Sequence, residues 1–215
     1  MVTIKTFPSR KEWLEARGDR IGGSEAAAIV GMNPYMSNVD LWEIKTGQKE
    51  AADISDNPLV VYGANAERHL RELFKLDFPE YKIEYQENNM MLNDRYPFAH
   101  ASLDGWLYDK DGRLGILEFK TSTISSAAQS AKWKGRVPDN YYIQLLHYMI
   151  VTEAEFAVLV AQLKYDYGDK CKITKYYRME RSEAQNDILY LTAAESDFWK
   201  YVQKGKCPPL ALPEI

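Results

Sequence analysis

The chain has 215 residues, of which 46% are hydrophobic and 27% charged, with a formal net charge of −4 at pH 7. A chain of this size buries roughly 70% of its unfolded surface, and its composition is that of a globular domain rather than a disordered or fibrous one. No apolar run approaches the roughly 18 residues of a membrane span. The opening MVTIKTFPSRKEW has no secretory apolar region, so a cytoplasmic location and no membrane partner are expected. Cys171 and Cys207 stand apart without C-x-x-C spacing, which argues against a zinc or iron–sulfur cluster and fits a reducing compartment.

In chain order, Ser9 and Glu12 of SRKE form a capping box that opens a short helix stopping near Gly18. GGSEAAAIVG offers two glycines, an expected N-cap at Ser24 and an alanine-rich helix ended by Gly31. A second box, Ser37 to Asp40, opens SNVDLWEIKTG with Gly47 as its stop, and KEAADISDN reads as a surface loop. Asn57-Pro58 then caps a long helix to about Asp77, proline standing where its missing N–H is harmless.

The period then changes. YKIEYQENNMMLN, YPFAHASLDGWLY and RLGILEFKTS read as three strands, the last two joined by DKDG. Helical patterning is weak after Ser125 and clear at DNYYIQLLHYMIVTE; FAVLVAQLKY and KCKITKYYRME form a second hairpin around DYGD. Ser182 caps a last helix ending at Gly205, and CPPLALPEI is a proline-bearing tail. This order predicts a mixed α/β domain with one central sheet.

Charges in the first hairpin raise the question of chemistry. If DKDG is a three-residue loop, a type I turn followed by Gly112 in the left-handed region, Asp109 pairs with Arg113 and Asp104 falls opposite Glu118. A two-residue loop would shift the register by one. Like charges directly opposite destabilise a sheet, and a divalent cation would neutralise them. Lys120 projects from the same face as Glu118 because strand side chains repeat every second residue. Glu67, three residues before Leu70 and seven before Phe74, shares the apolar stripe of its helix. Gly63, one turn earlier, costs roughly 1 kcal/mol against alanine and leaves room for a close approach. A carboxylate so placed either serves a site or pairs with a neighbour such as Arg71. Gln144 and Tyr148, at i and i+4, can position a water or a phosphate oxygen, or form the polar margin of an amphipathic helix. Basic residues gather at Arg10, Lys11, Arg17 and Arg20 and at KWKGR, where Trp133 lies between Lys132 and Lys134 before Arg136. Each cluster is either solvated surface or a nucleic-acid contact.

Taken together, Gly63-x-x-x-Glu67, Asp104, Glu118-x-Lys120 and Gln144-x-x-x-Tyr148 resemble the PD-(D/E)XK nuclease superfamily. RGDRIGGSEAAAIVGMNPY with LWEIKTG resembles more closely the YqaJ-like viral recombinase family of its lambda exonuclease-like branch, over about residues 10–153. The resemblance implies a restriction-endonuclease-like core with a central mixed β-sheet flanked by helices, in one domain over residues 1–215. An N-terminal helical end-binding segment would cover about 9–47, the nuclease core about 57–180 and a C-terminal helix about 182–205. It implies a 5′→3′ exonuclease on linear double-stranded DNA, leaving 3′ single strands for an annealing protein in phage-type recombination. Two Mg²⁺ or Mn²⁺ ions would be held by Asp104 and Glu118, with Glu67 supporting the second and the Phe119 backbone carbonyl as a further ligand. Lys120 would orient or deprotonate the attacking water, with a pKa lowered by the ions. Arg17 and Ser24 match positions that hold the 5′-phosphate, with Arg20 a rival for the arginine role and Ser24 also a plain N-cap. Relatives form trimeric rings around DNA. The proline that precedes the motif aspartate is Leu103 here, a position without a chemical role. Alternatives on the same core are a structure-selective or restriction-type endonuclease and a non-catalytic DNA-end-binding module. The two lone cysteines disfavour a cluster-bearing relative of the CRISPR adaptation nucleases.

Overall fold

A computed structural model describes residues 1–168 and 170–212. The elements are β1 (Val2–Thr6), α1 (Arg10–Gly18), α2 (Gly23–Ile29), α3 (Asn38–Lys45), α4 (Pro58–Asp77), β2 (Lys82–Glu84), β3 (Asn89–Asn93), β4 (Gly105–Tyr108), β5 (Leu114–Ile124), α5 (Ala127–Ala131), α6 (Asp139–Thr152), β6 (Phe156–Tyr165), β7 (Lys172–Glu180) and α7 (Gln185–Gln203). Five strands form a mixed sheet in the order β2-β4-β5-β6-β7, parallel only between β5 and β6, and β1 pairs with β3 in a separate two-stranded ribbon. The parallel pair requires a crossover, which α5 and α6 provide. Among the described residues no helix is long and apolar enough to cross a membrane.

Two apolar layers enclose the sheet. On one face Leu70 and Phe74 of α4 pack on Leu117, Phe119, Val158 and Val160. On the other, Ile116, Ile124, Leu159 and Leu163 meet α6 through Leu145, Leu146, Met149 and Ile150. A helix buried along almost its whole C-terminal half, as α6 is, is held by tertiary packing more than by propensity. Behind α6, α2 and α7 complete the layer, and α3 joins them through Leu41 and Trp42.

The capping box at Ser37 forms as expected, and α4 runs from an Asn57 cap to Asp77. Ser9 caps α1 through the Glu12 N–H, but the Glu12 carboxylate takes the Ser9 hydroxyl rather than its N–H, so the box there is incomplete. Other expectations are corrected. YPFAHASLDGWLY is a strand only from Gly105 to Tyr108. YKIEYQENNMMLN is two strands, because residues 85–88 leave the sheet and β3 turns to β1. β1 itself is short and faces solvent along most of its length, so it carries no core alternation. Ser24 is not the N-cap: Gly22 is, its N–H donating to Glu25 Oε2 at 2.8 Å. Ser182 lies in a turn, and α7 starts at Gln185 with no side-chain cap. The turn DYGD joins β6 to β7 with Gly168 at φ +62°; its Asp169 and tail residues 213–215 lie outside the described residues.

Candidate active site

The site begins with a mismatch of strand lengths. β4 spans four residues and β5 eleven, so β4 pairs only with Leu114 to Leu117. Beyond Leu117, β5 has β6 on one side and an open edge on the other. The turn is the three-residue loop: Asp109 N–H donates to the Arg113 carbonyl at 3.2 Å and Gly112 has φ +77°. The last ladder pair is Gly105 with Leu117, so Asp104 stands opposite Glu118 just past the end of the ladder. Its Oδ2 accepts the Phe119 N–H at 2.8 Å. Backbone groups alternate direction along a strand, and since the Phe119 N–H faces this edge its carbonyl does too.

Four further side chains reach the same edge. Lys120 Nζ lies 2.6 Å from Glu118 Oε1. Gln144 on α6 donates to Glu118 Oε1 and to Tyr148 Oη, both at 2.8 Å, which leaves the phenol's own proton to be donated elsewhere. From the opposite face α4 brings the half-buried Glu67 to the cavity. The close approach anticipated at Gly63 is to β5 itself: a Cβ there would lie 3.4 Å from Thr121 Oγ1. These residues line one cavity of about 580 Å³.

Electrostatics set the cluster apart. Burial, then repulsion from Asp104, pushes Glu67 up to about 7 and Glu118 up to about 8. Burial also raises Asp104, against the pull of Lys120, the Phe119 N–H and Arg71. For Lys120 burial opposes the charge, yet Glu118 and Asp104 outweigh it and hold the ammonium above the usual lysine range. This is the effect of the chain's own groups, whereas the lowering is expected beside bound ions. Glu118 Oε2 is buried without a hydrogen-bond partner. Among the described residues no three His, Cys, Asp or Glu side chains already form a cage for an ion; Glu118 Oε1 is taken by Lys120 and Gln144. The donor set still fits magnesium, which accepts one or two carboxylates and keeps its waters. An unpartnered carboxylate oxygen, two further carboxylates and an edge-facing carbonyl supply hard oxygen ligands.

The N-terminal helices close one side. Arg17 stacks on Trp13 at 4.3 Å, and Arg10, Trp13, Arg17 and Ser24 line the cavity with the carboxylates. Arg20 does not; its Nε donates to the Pro97 carbonyl at 3.2 Å. Gly23 has no room for a side chain, since a Cβ would meet Tyr148 Cε1 at 2.4 Å. In the second basic cluster Lys132, Lys134 and Arg136 are exposed, but Trp133 is 3% exposed and packs on Tyr141 and Tyr177. It is a core residue.

Several supporting residues escape a reading of the sequence. Asn89 brackets the Leu103 backbone, donating to its carbonyl at 2.8 Å and accepting its N–H at 2.9 Å, and so fixes the approach to Asp104. Arg71 does pair near the site, but with the Asp104 carbonyl at 2.9 Å. Behind Tyr148, His147 joins buried Glu195 at 2.7 Å and the His100 carbonyl at 2.8 Å. The only sequence signal for these is polarity at apolar positions.

The YqaJ-like viral recombinase domain matches residues 12–155. Uncharacterized protein YqaJ of Bacillus subtilis (strain 168) is 29% identical over 209 residues, covering 94% of this chain and 59% of that protein. The chain therefore spans 59% of the length of that relative. An alkaline exonuclease (LHK-Exo) from Laribacter hongkongensis superposes with a TM-score of 0.66 at 17% identity, covering 91% of this chain and 93% of that one. Its complex with dAMP gives 0.65 at 18% identity, over 91% and 93% of the two chains. A phage-related exonuclease from Haemophilus somnus 129PT gives 0.54 at 14% identity, over 86% and 96%. At these identities the likeness is one of fold.

Proposed function

We propose that this chain, which belongs to the YqaJ-like viral recombinase domain family, is a metal-dependent deoxyribonuclease. In this reading it degrades linear double-stranded DNA from 5′ ends and leaves 3′ single strands for an annealing partner. The observation that carries it is the meeting of Glu67, Asp104, Glu118 and Lys120 in one cavity at the open edge of β5. Asp104, Glu118, Glu67 and the Phe119 carbonyl would hold Mg²⁺ or Mn²⁺. When bound, two such ions supply charge neutralisation at the attacking and leaving oxygens of an in-line displacement.

The chain's own groups do the rest. Lys120, beside Glu118, orients the attacking water or takes its proton. Tyr148, its oxygen already accepting from Gln144, donates its phenolic proton to a phosphate oxygen. Arg17 and Ser24 take the terminal 5′-phosphate, and the absence of Arg20 from the cavity lining supports Arg17 in that role. By family likeness we assign one domain over residues 1–215, a trimeric ring and a cytoplasmic, phage-type recombination setting. Digestion of linear against covalently closed duplex tests the exonuclease reading. Linear DNA should be degraded and the closed circle left intact, whereas linearisation of the circle would indicate an endonuclease on the same core.

Arg17→Ala should impair degradation of 5′-phosphorylated ends more than of 5′-hydroxyl ends, since charge-assisted bonds to the phosphate are lost only in the first case. Equal loss on both, measured with matched duplexes, removes its end-binding role.

Stability should also report the ion. The unfolded carboxyls titrate near 4.5, Glu67 at about 7 and Glu118 at about 8 in the fold. Between those values the metal-free folded protein holds protons that the unfolded chain has released, so its stability falls as pH rises. Ion binding requires the ionised carboxylates. Mg²⁺ or Mn²⁺ should therefore raise the Tm more at pH 8 than at pH 5.5, against an EDTA control, and an equal shift at both would detach these carboxyls from the ion.

A further inference from the structure

The α4 face of the sheet carries a basic strip that the site described above does not use. Lys164 on β6 and Lys172 on β7 are direct cross-strand partners and so project from one face as like charges, which a sheet disfavours. The Tyr62 ring lies under both, 3.6 Å from Lys164 Nζ and 5.9 Å from Lys172 Nζ. Its hydroxyl donates to Gln162 at 2.6 Å. The ion pairs of the described lysines involve Lys11, Lys45, Lys49, Lys75, Lys82, Lys120 and Lys200, and neither Lys164 nor Lys172. Cross-strand neighbours lead from this pair back to the cavity: Lys164 stands beside Thr123 and Gln162 beside Thr121. Thr121 lines the cavity with Lys120. By the alternation that turns Phe119 to the open edge, the Thr121 and Thr123 N–H groups face that edge too.

We infer that Lys164 and Lys172, held by Tyr62, bind the phosphodiester backbone of duplex DNA beyond the cleavage site, with Thr121 at the near end of the track. The inference rests on the deoxyribonuclease reading and adds a substrate contact to it. From Phe119 to the level of Lys164, four residues along β5, the rise is about 13 Å at roughly 3.3 Å per residue. That is the axial length of about four nucleotides at 3.4 Å each, so a strand engaged at Asp104 can reach the lysines. A polyanion's charge offsets the repulsion of two ammonium groups set side by side, which within the sheet alone is left uncompensated.

The test compares the wild-type chain, a Lys164→Gln/Lys172→Gln double variant and a Lys164→Arg/Lys172→Arg double variant. Duplex binding is followed by fluorescence anisotropy from 50 to 200 mM salt with Ca²⁺ as a non-cleaving ion, beside thermal unfolding. In the glutamine variant the slope of log K against log salt should flatten by about 1.8, from two lost phosphate contacts. Affinity at 100 mM salt should fall about tenfold, kcat at saturating DNA should stay unchanged, and the Tm should hold or rise as the repulsion is removed. The arginine variant should recover the slope. An unchanged slope in the glutamine variant, or failure of arginine to restore it, overturns the inference. A wild type that cleaves DNA while both variants match it sinks only this track, whereas a wild type that neither binds nor cleaves DNA sinks the nuclease reading with it.

Discussion

Asp104→Asn should abolish DNA cleavage while leaving the protein folded. The asparagine oxygen still accepts the Phe119 N–H that Asp104 Oδ2 takes at 2.8 Å, so the approach of β4 to β5 survives. What is lost is a negative charge that burial already opposes. Burial outweighs the pull of Lys120, the Phe119 N–H and Arg71, and removing a charge whose burial is not fully offset costs a fold little or stabilises it, so the Tm should be unchanged or higher. The rate should respond in the opposite sense. Charge stabilisation by a bound ion is worth several kcal/mol in the transition state, and at 1.36 kcal/mol per decade its loss is on the order of 10³-fold. Steady-state cleavage with Mg²⁺ beside thermal unfolding checks both halves, and retention of more than a tenth of the wild-type rate would remove Asp104 from the ligand set.

Lys120→Gln should lower kcat by roughly 10² to 10⁴, the range of a positioned proton-transfer group, with KM for DNA changed far less. The amide can still donate to Glu118, so packing is kept, but the charge 2.6 Å from Glu118 Oε1 is gone. Glu118, already pushed up to about 8 by burial and Asp104, then takes a proton more readily. A folded-state carboxyl raised above its unfolded value loses stability as pH rises. The variant should therefore match the wild-type Tm near pH 5 and fall below it toward pH 9 in EDTA. A KM effect without a kcat effect would make Lys120 a DNA contact, not a group that orients water.

The central geometry was legible because it depends on local rules. A loop of set length with Gly112 at positive φ sets the register that brings Asp104 opposite Glu118 just past the ladder, and helical spacing places Glu67 with Leu70 and Phe74 and Gln144 with Tyr148. The open edge of β5 was not legible, because where β4 stops pairing is decided by residues 99–104 bending toward β3, α2 and α6. Ser24 was displaced from the cap for a similar reason. Gly22 caps the helix and Gly23 is its first residue, packed so closely on Tyr148 that a side chain there would clash. Trp133, set among lysines in the sequence, is drawn into the core by Tyr141 and Tyr177, partners that become neighbours only after folding. The pKa of Lys120 depends on how its carboxylates and any ions are arranged, which spacing does not reveal.

Cleavage of a linear duplex labelled on its 5′-phosphate, with Mg²⁺ and with EDTA, tests the central claim most directly. Release of labelled mononucleotide with Mg²⁺, its complete loss in EDTA and its absence in Asp104→Asn are the predicted results. Undiminished cleavage in EDTA, or in Asp104→Asn, would contradict the account.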